Sequence, residues 1–174
     1  YIPDDNFEQM LINMNRDNVL DNYVLTANIN DIQALHLSGQ SITNLTGIEN
    51  FVSLIALYCD QNQIESLDVS NNIALEYLGC GSSCSGGNLL TTLDVSKNVN
   101  LKWLQCEVNS LTELDVSNNL LLEHLEIGWN PISTIDLSNN IYVAIYSSGS
   151  FDGHIIIGST DLFIVKFNSN GIKQ

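Results

Sequence analysis

The sequence predicts a solenoid. It should be a β-rich coil of the right-handed α/β-superhelix type with short convex segments, a parallel sheet on its concave face, a helix closing one end and a β-hairpin closing the other. Three observations predict it. The middle of the 174-residue chain repeats itself every 21 or 22 residues, with one line of 26. Each line opens on apolar residues in strand alternation and then reaches an asparagine. The segments before and after the repeat carry other patterns, the first helical and the second strand-like. A short period of this kind marks an array whose units cannot bury their apolar faces alone.

Written from Ile32, the first line is IQALHLSGQSITNLTGIENFVS. LIALYCDQNQIESLDVSNNIA follows from Leu54, LEYLGCGSSCSGGNLLTTLDVSKNVN from Leu75, LKWLQCEVNSLTELDVSNNLL from Leu101 and LEHLEIGWNPISTIDLSNNIY from Leu122. A sixth line starts at Val143 with VAIYSSGS and then loses the pattern. The lines open L-x-x-L-x-(L/C/I), pass an Asn and continue x-(I/L), which resembles the leucine-rich repeat family. The LDVSNN half resembles the short repeats of secreted bacterial members. The implied organisation is an N-terminal cap over 1–31, repeats over 32–148 and a C-terminal cap or remnant of a following domain over 149–174. The repeats divide as 32–53, 54–74, 75–100, 101–121, 122–142 and a partial 143–148.

Stacking turns sequence positions into columns. The x-L-x-L segments should pair as parallel strands about 4.8 Å apart, burying Leu54, Leu57, Cys59, Ile64, Leu67, Val69 and their equivalents. The L-D-V segment alternates again and should form a second short strand or an extended stretch on the convex side. Asn62, Asn88, Asn109 and Asn130 form a corner column, with Gln40 in the first line. A buried amide must satisfy both of its ends, so these should bond backbone groups of their own and adjacent rungs. Asn72, Asn98, Asn119 and Asn140 should line the opposite corner. Cys59, Cys80 and Cys106 stand where Leu37 and Ile127 stand elsewhere, so they are read as buried, reduced thiols. Cys84 lies in the insertion, and a Cys80–Cys84 disulfide is the alternative. Asp68, Asp94, Asp115 and Asp136 form an outward column. Hydrogen bonds to following backbone groups should hold them, with a cation-binding strip as the alternative.

In the first segment, Asp5-Asn6-Phe7-Glu8 reads as a capping box with Asp5 as the cap. Phe7, Met10, Leu11 and Met14 share one face of a helix over about 5–14, which should cover the open end of the first rung. The order IPDDNF, helix, V-L-T, then LTGIENFVSL resembles the N-terminal caps of internalin-like bacterial surface proteins over residues 2–54. Asn13, Asn15, Asp17 and Asp21 have the spacing of an EF-hand or dockerin calcium loop. However, the first ligand is Asn, Asn18 replaces the glycine and Val24 replaces the bidentate Glu. An ordinary helix-to-strand turn is the reading, with calcium as the alternative; no other cofactor is expected. After Ser150, FDGHIIIG and DLFIVKFNSNG read as two strands around Gly158-Ser159-Thr160. The stretch GSFDGHIIIGSTDLFIVKFNSNG is similar to one blade repeat of bacterial β-propellers. A single hairpin makes no propeller, so it should shield the last rung's edge.

With 20 acidic and 5 basic side chains, the formal charge is −15. Nucleic acid is thereby disfavoured as a partner, since phosphate recognition needs a basic footprint. No apolar run approaches the roughly 18–20 residues a bilayer requires, so no membrane insertion is expected. His36, His124 and His154 belong to no catalytic motif, and there is no G-x-S-x-G, P-loop or dinucleotide fingerprint. The expectation is that the chain is not an enzyme.

The working surface should be the concave sheet. Its first outward column is Ala34, Ala56, Tyr77, Trp103, His124 and Ile145; the second is His36, Tyr58, Gly79, Gln105, Glu126 and Ser147. Asp60, Gln61, Glu107, Val108 and Trp129 lie just beyond the strands. Exposed aromatics beside carboxylates suit protein or peptide recognition. The candidate ligand-binding residues are therefore Tyr58, Tyr77, Trp103, Gln105, Glu107, His124, Glu126 and Trp129. The bland alternative is that Trp103 and His124 pack on each other to fill a narrow face. The resemblance implies a monomeric adhesion-type module, secreted or on the cell surface with its signal peptide removed, that binds a protein ligand. A carbohydrate on the same aromatics, or a structural spacer of a larger adhesin, are the alternatives.

Overall fold

The structure, a computed structural model, describes residues 1–82, 86–133 and 135, together with the backbone of two later strands. The chain opens with helix α1 (Asp5–Asn13) and continues through strands β1 (Ala34–His36), β2 (Ala56–Tyr58), β3 (Tyr77–Gly79), β4 (Trp103–Gln105), β5 (His124–Glu126), β6 (Tyr142–Ala144) and β7 (Phe163–Lys166). Among the described residues these seven strands form one sheet in the order β1-β2-β3-β4-β5-β7-β6. The first five are parallel and in strict repeat register, with Leu35, Leu57, Leu78, Leu104 and Leu125 side by side. These central leucines point into the core and are fully buried, as are Cys59, Cys80, Cys106, Ile64, Val69 and their equivalents. The repeat solenoid with a helical N-terminal cap is the architecture the periodicity predicts.

Both corner columns form among the described residues, which do not include Asn140; in the first line the Gln40 amide is exposed and donates to the Ser38 carbonyl of its own rung. At the strand end, each asparagine clamps two rungs. Asn109 Nδ2 donates to the carbonyls of Cys80 and Cys106 at 3.1 Å each, while its Oδ1 accepts the Leu90 N–H. Asn62, Asn88 and Asn130 repeat the pattern. At the opposite corner, Asn98 Nδ2 donates to Val69 and Asn72 carbonyls, and Asn119 to those of Val95 and Asn98. On the first rung Phe51 takes this corner. Its N–H bonds the Ile48 carbonyl as the Asn72 N–H bonds Val69, and its ring stacks on Phe7 of α1 at 5.9 Å. The column thus ends in an aromatic contact with the cap.

Two expectations are corrected. The N-cap of α1 is Asp4, not Asp5: its Oδ1 accepts from Asn6 and Phe7 N–H. Its Oδ2 meanwhile takes the Thr43 and Asn44 N–H groups and the Thr43 hydroxyl, tying the helix to the first rung. Burial pushes the Asp4 carboxyl up, but these hydrogen bonds outweigh it and hold its pKa below the usual value. Glu8 does not close a capping box. It is fully buried and accepts from the N–H groups of Asp21, Asn22 and Tyr23, cinching the segment after the helix. The L-D-V segments take the second of the two forms expected of them, an extended stretch and not a second strand, among the described residues. They run extended into tight turns, with Ser70, Ser96 and Ser117 N–H bonded to Asp68, Asp94 and Asp115.

The far end also departs from simple propagation. β7 lies antiparallel against β5, with Leu125 opposite Ile164, and β6 pairs with the far side of β7. A sixth parallel rung would set Ser148 in the core column held by Leu37, Cys59, Cys80, Cys106 and Ile127. Burying a hydroxyl there is unfavourable, whereas the Phe-Ile-Val run of β7 suits a strand. The first strand of the hairpin expected around Gly158-Ser159-Thr160, and most of the blade-like stretch, lie outside the described residues. Among the described residues no helix is long and apolar enough to cross a membrane.

Candidate functional site

The parallel register assembles two outward columns on the sheet. Ala34, Ala56, Tyr77, Trp103 and His124 are neighbours strand by strand, as are His36, Tyr58, Gly79, Gln105 and Glu126. Ile145 and Ser147 lie outside the described residues. Within the columns, rings pair across adjacent rungs. His36 stacks on Tyr58 at 5.0 Å, and Trp103 stacks on His124 at 3.6 Å with 13° between planes. Gly79 separates the two groups. A Cβ there would sit 3.1 Å from Tyr58 Cδ1, so the tyrosine ring lies close over the glycine and would have to give by a few tenths of an ångström to admit a side chain.

A connected polar cluster sits under Trp103. His124 Nε2 bonds Glu126 Oε1 at 2.5 Å, and Gln105 Nε2 donates to Glu126 Oε2 at 2.8 Å. Glu126 also shares a hydrogen bond with the Glu107 carboxyl. Burial pushes the Glu126 carboxyl up, but its hydrogen bonds with His124, Glu107 and Gln105 and the charge of His124 prevail and hold it below the usual value. Glu107 and Glu126 were expected to face outward. They are only 4% and 6% exposed, drawn into the hydrogen-bonded cluster they form with His124 and Gln105. Trp103 remains 38% exposed and Trp129 52%. Trp129 stands at the corner after β5 with φ +57°, as Gln61 and Val108 do after β2 and β4 (φ +56° and +53°). This left-handed turn sets the three side chains at the rim, outside the column that Trp103 occupies. The Trp103–His124 stack is the packing that the bland alternative describes, yet it leaves over a third of the indole open.

Lys102 Nζ lies 2.7 Å from Glu76. The Ser38 hydroxyl donates to Asp60. On the opposite side of the coil, hydrogen bonds from Ser70 and Ser96 hold Asp68 and Asp94 below the usual carboxylate value. Asp136 lies outside the described residues. In the calcium-loop segment, Asn13 ends α1 and accepts from Gln9, Asn15 takes φ +57°, Asp17 accepts its neighbour Asn18's N–H and Asp21 accepts from Tyr23. Among the described residues no three His, Cys, Asp or Glu side chains converge for a metal ion. Cys59, Cys80 and Cys106 carry free thiols on three consecutive rungs. Burial pushes Cys80 up to about 12; burial, with neighbouring Cys80, pushes Cys59 and Cys106 well above the ordinary thiol value. Cys84 lies outside the described residues.

Among solved structures, the functional domain of InlJ from Listeria monocytogenes matches 79% of this chain at 36% identity, with a TM-score of 0.71. The chain is an internalin-like leucine-rich repeat protein. Its match covers 29% of the InlJ chain, a domain described as including a cysteine ladder. The stacked thiols of this internalin-like chain are similar in kind. The internalin InlF of Listeria monocytogenes matches 79% of the chain at 20% identity, with a TM-score of 0.58 and 46% of InlF covered, and supports the fold. The internalin-like chain therefore spans less than half the length of either relative. No family model and no curated protein matches it.

Proposed function

We propose that this chain is a non-enzymatic protein- or peptide-binding module of a secreted or surface-attached bacterial protein, with its ligand on the concave sheet face. The observation that carries this reading is the in-register strip of rings, which leaves Trp103 38% exposed on a rigid sheet. Rigid aromatics lose little entropy on binding and anchor interfaces well. The internalin likeness adds to it, because InlJ shares the parallel-sheet solenoid on which the strip is built.

The test is selection of binders from a random peptide display library, run beside a glycan array. The reading expects peptides whose capture is lost in Trp103→Ala and unaffected by Asp94→Ala on the opposite side, at unchanged melting temperature. Glycan capture with no peptide binders would transfer the same face to carbohydrate. Binders indifferent to Trp103, or none in either format, would remove the proposal and leave a spacer.

A further inference from the structure

Exposure alone does not decide whether an aromatic on a sheet is a ready anchor. An indole free to rotate must be ordered when a partner arrives, and that ordering opposes binding. Trp103 is not in that position. One face lies flat on His124 at 3.6 Å, and the imidazole beneath it is in turn held by the Glu126 carboxylate at 2.5 Å. The second Glu126 oxygen is fixed by Gln105 from the strand below at 2.8 Å, and Glu107 joins from the corner after β4. Glu126 is 6% exposed, so its geometry is set by protein rather than by water.

A carboxylate on a sheet's outer face is ordinarily solvated, and its enclosure carries a desolvation penalty that packing alone would avoid with an apolar residue. Here the enclosed carboxylate has a geometric output. It sits directly beside the ring that carries the exposed tryptophan. We propose that Glu126 is a positioning residue for the concave site: acting through His124, it presets the Trp103 indole so that the exposed part of the ring is held in one orientation for a partner. The inference rests on the binding reading above for the purpose of the indole, but the positioning itself is measurable without any ligand.

In a Trp129→Phe background Trp103 is the single tryptophan, and its emission maximum and quenching by neutral acrylamide report its orientation and access. Glu126→Ala should shift emission to longer wavelength and increase quenching, while the far-UV spectrum stays that of the folded chain. Glu126→Asp keeps the charge and the fold but retracts the carboxylate from His124, and should do the same. Glu126→Gln, which keeps the length and an acceptor, should restore most of the parent signal. Ile127→Val is the control, since it weakens the adjacent core without touching the tether and should leave both readings in place. An unchanged Trp103 signal in Glu126→Asp, or an equal change in Ile127→Val, would overturn the assignment. Loss of peptide capture in Trp103→Ala with no optical change in Glu126→Asp would leave the binding reading standing and remove only the tether.

Discussion

Two columns of asparagine run along this coil, and they are not equivalent. At the strand-end corner, Asn62, Asn88, Asn109 and Asn130 use both ends of the amide, donating to carbonyls of two rungs and accepting a backbone N–H. At the opposite corner, Asn72, Asn98 and Asn119 donate twice, but their Oδ1 atoms are buried with no hydrogen-bond partner. The backbone explains the difference. The strand-end turn passes through a left-handed residue and leaves an N–H facing inward. At the other corner the turn closes on itself, with Asn98 N–H bonded to Val95 and Leu101 N–H to Asn98, while Ser96 N–H goes to Asp94. Those three N–H groups are thereby withheld from the amide oxygen. The same residue type therefore serves as a two-sided clamp in one place and as a one-sided tie in the other, and sequence identity does not imply equal contribution.

The largest effect should separate the columns directly. Asn109→Ala orphans the buried Leu90 N–H and takes one of two asparagine donors from each of the Cys80 and Cys106 carbonyls, and should cost about 3 kcal/mol, whereas Asn98→Ala also discards an unsatisfied oxygen and should cost about 1–2 kcal/mol. Urea unfolding of both variants measures this, and equal losses would break the distinction. The Asp4 clasp offers an intermediate case, a buried acceptor with all of its oxygens engaged. Asp4→Asn should lose about 2 kcal/mol near neutrality. Because the Asp4 pKa is lowered in the folded state, its contribution is present above the unfolded carboxylate value and is lost as pH falls through the folded one. The difference in melting temperature between the parent and Asp4→Asn should therefore shrink below about pH 4. Smallest of all should be Asp94→Ala, since that carboxylate is exposed and bonds only its own turn. A melting temperature shifted from the parent's by more than that of any of the other three variants would refute the ranking.

Much of this arrangement was legible in the sequence, because repetition converts spacing into adjacency. The register of Tyr77, Trp103 and His124, the burial of Cys59, Cys80 and Cys106, and the inward asparagines all follow from aligning the lines. What was not legible depends on groups from different lines meeting. Asp4 and Asp5 are chemically alike, and only the position of Thr43 and Asn44 decides which one caps the helix. Glu8 looks like a capping-box partner until the 21–23 segment folds over it. Glu126 alternates outward by pattern, yet hydrogen bonds with His124, Gln105 and Glu107 draw it out of solvent. The orphaned amide oxygens are invisible because sequence shows which groups exist, not which donors the turns have already used. At the far end, the serine at 148 was the signal that the coil stops propagating, and its physical weight lies in what that position would bury.

The third coil holds five more residues than its neighbours (26 against 21), yet β3 and β4 pair without any slip. Gly81 and Gly87 show how. A methyl on the first would fall 2.2 Å from the Glu107 carbonyl oxygen and on the second 1.6 Å from that of Val108, so both strands of backbone lie flush against the next coil. The excursion is thereby seamed at its base, and its length is uncoupled from the stack. Such a seam gives the lineage a spot where new surface chemistry can be tried at the edge of the aromatic strip while every other coil keeps its seat.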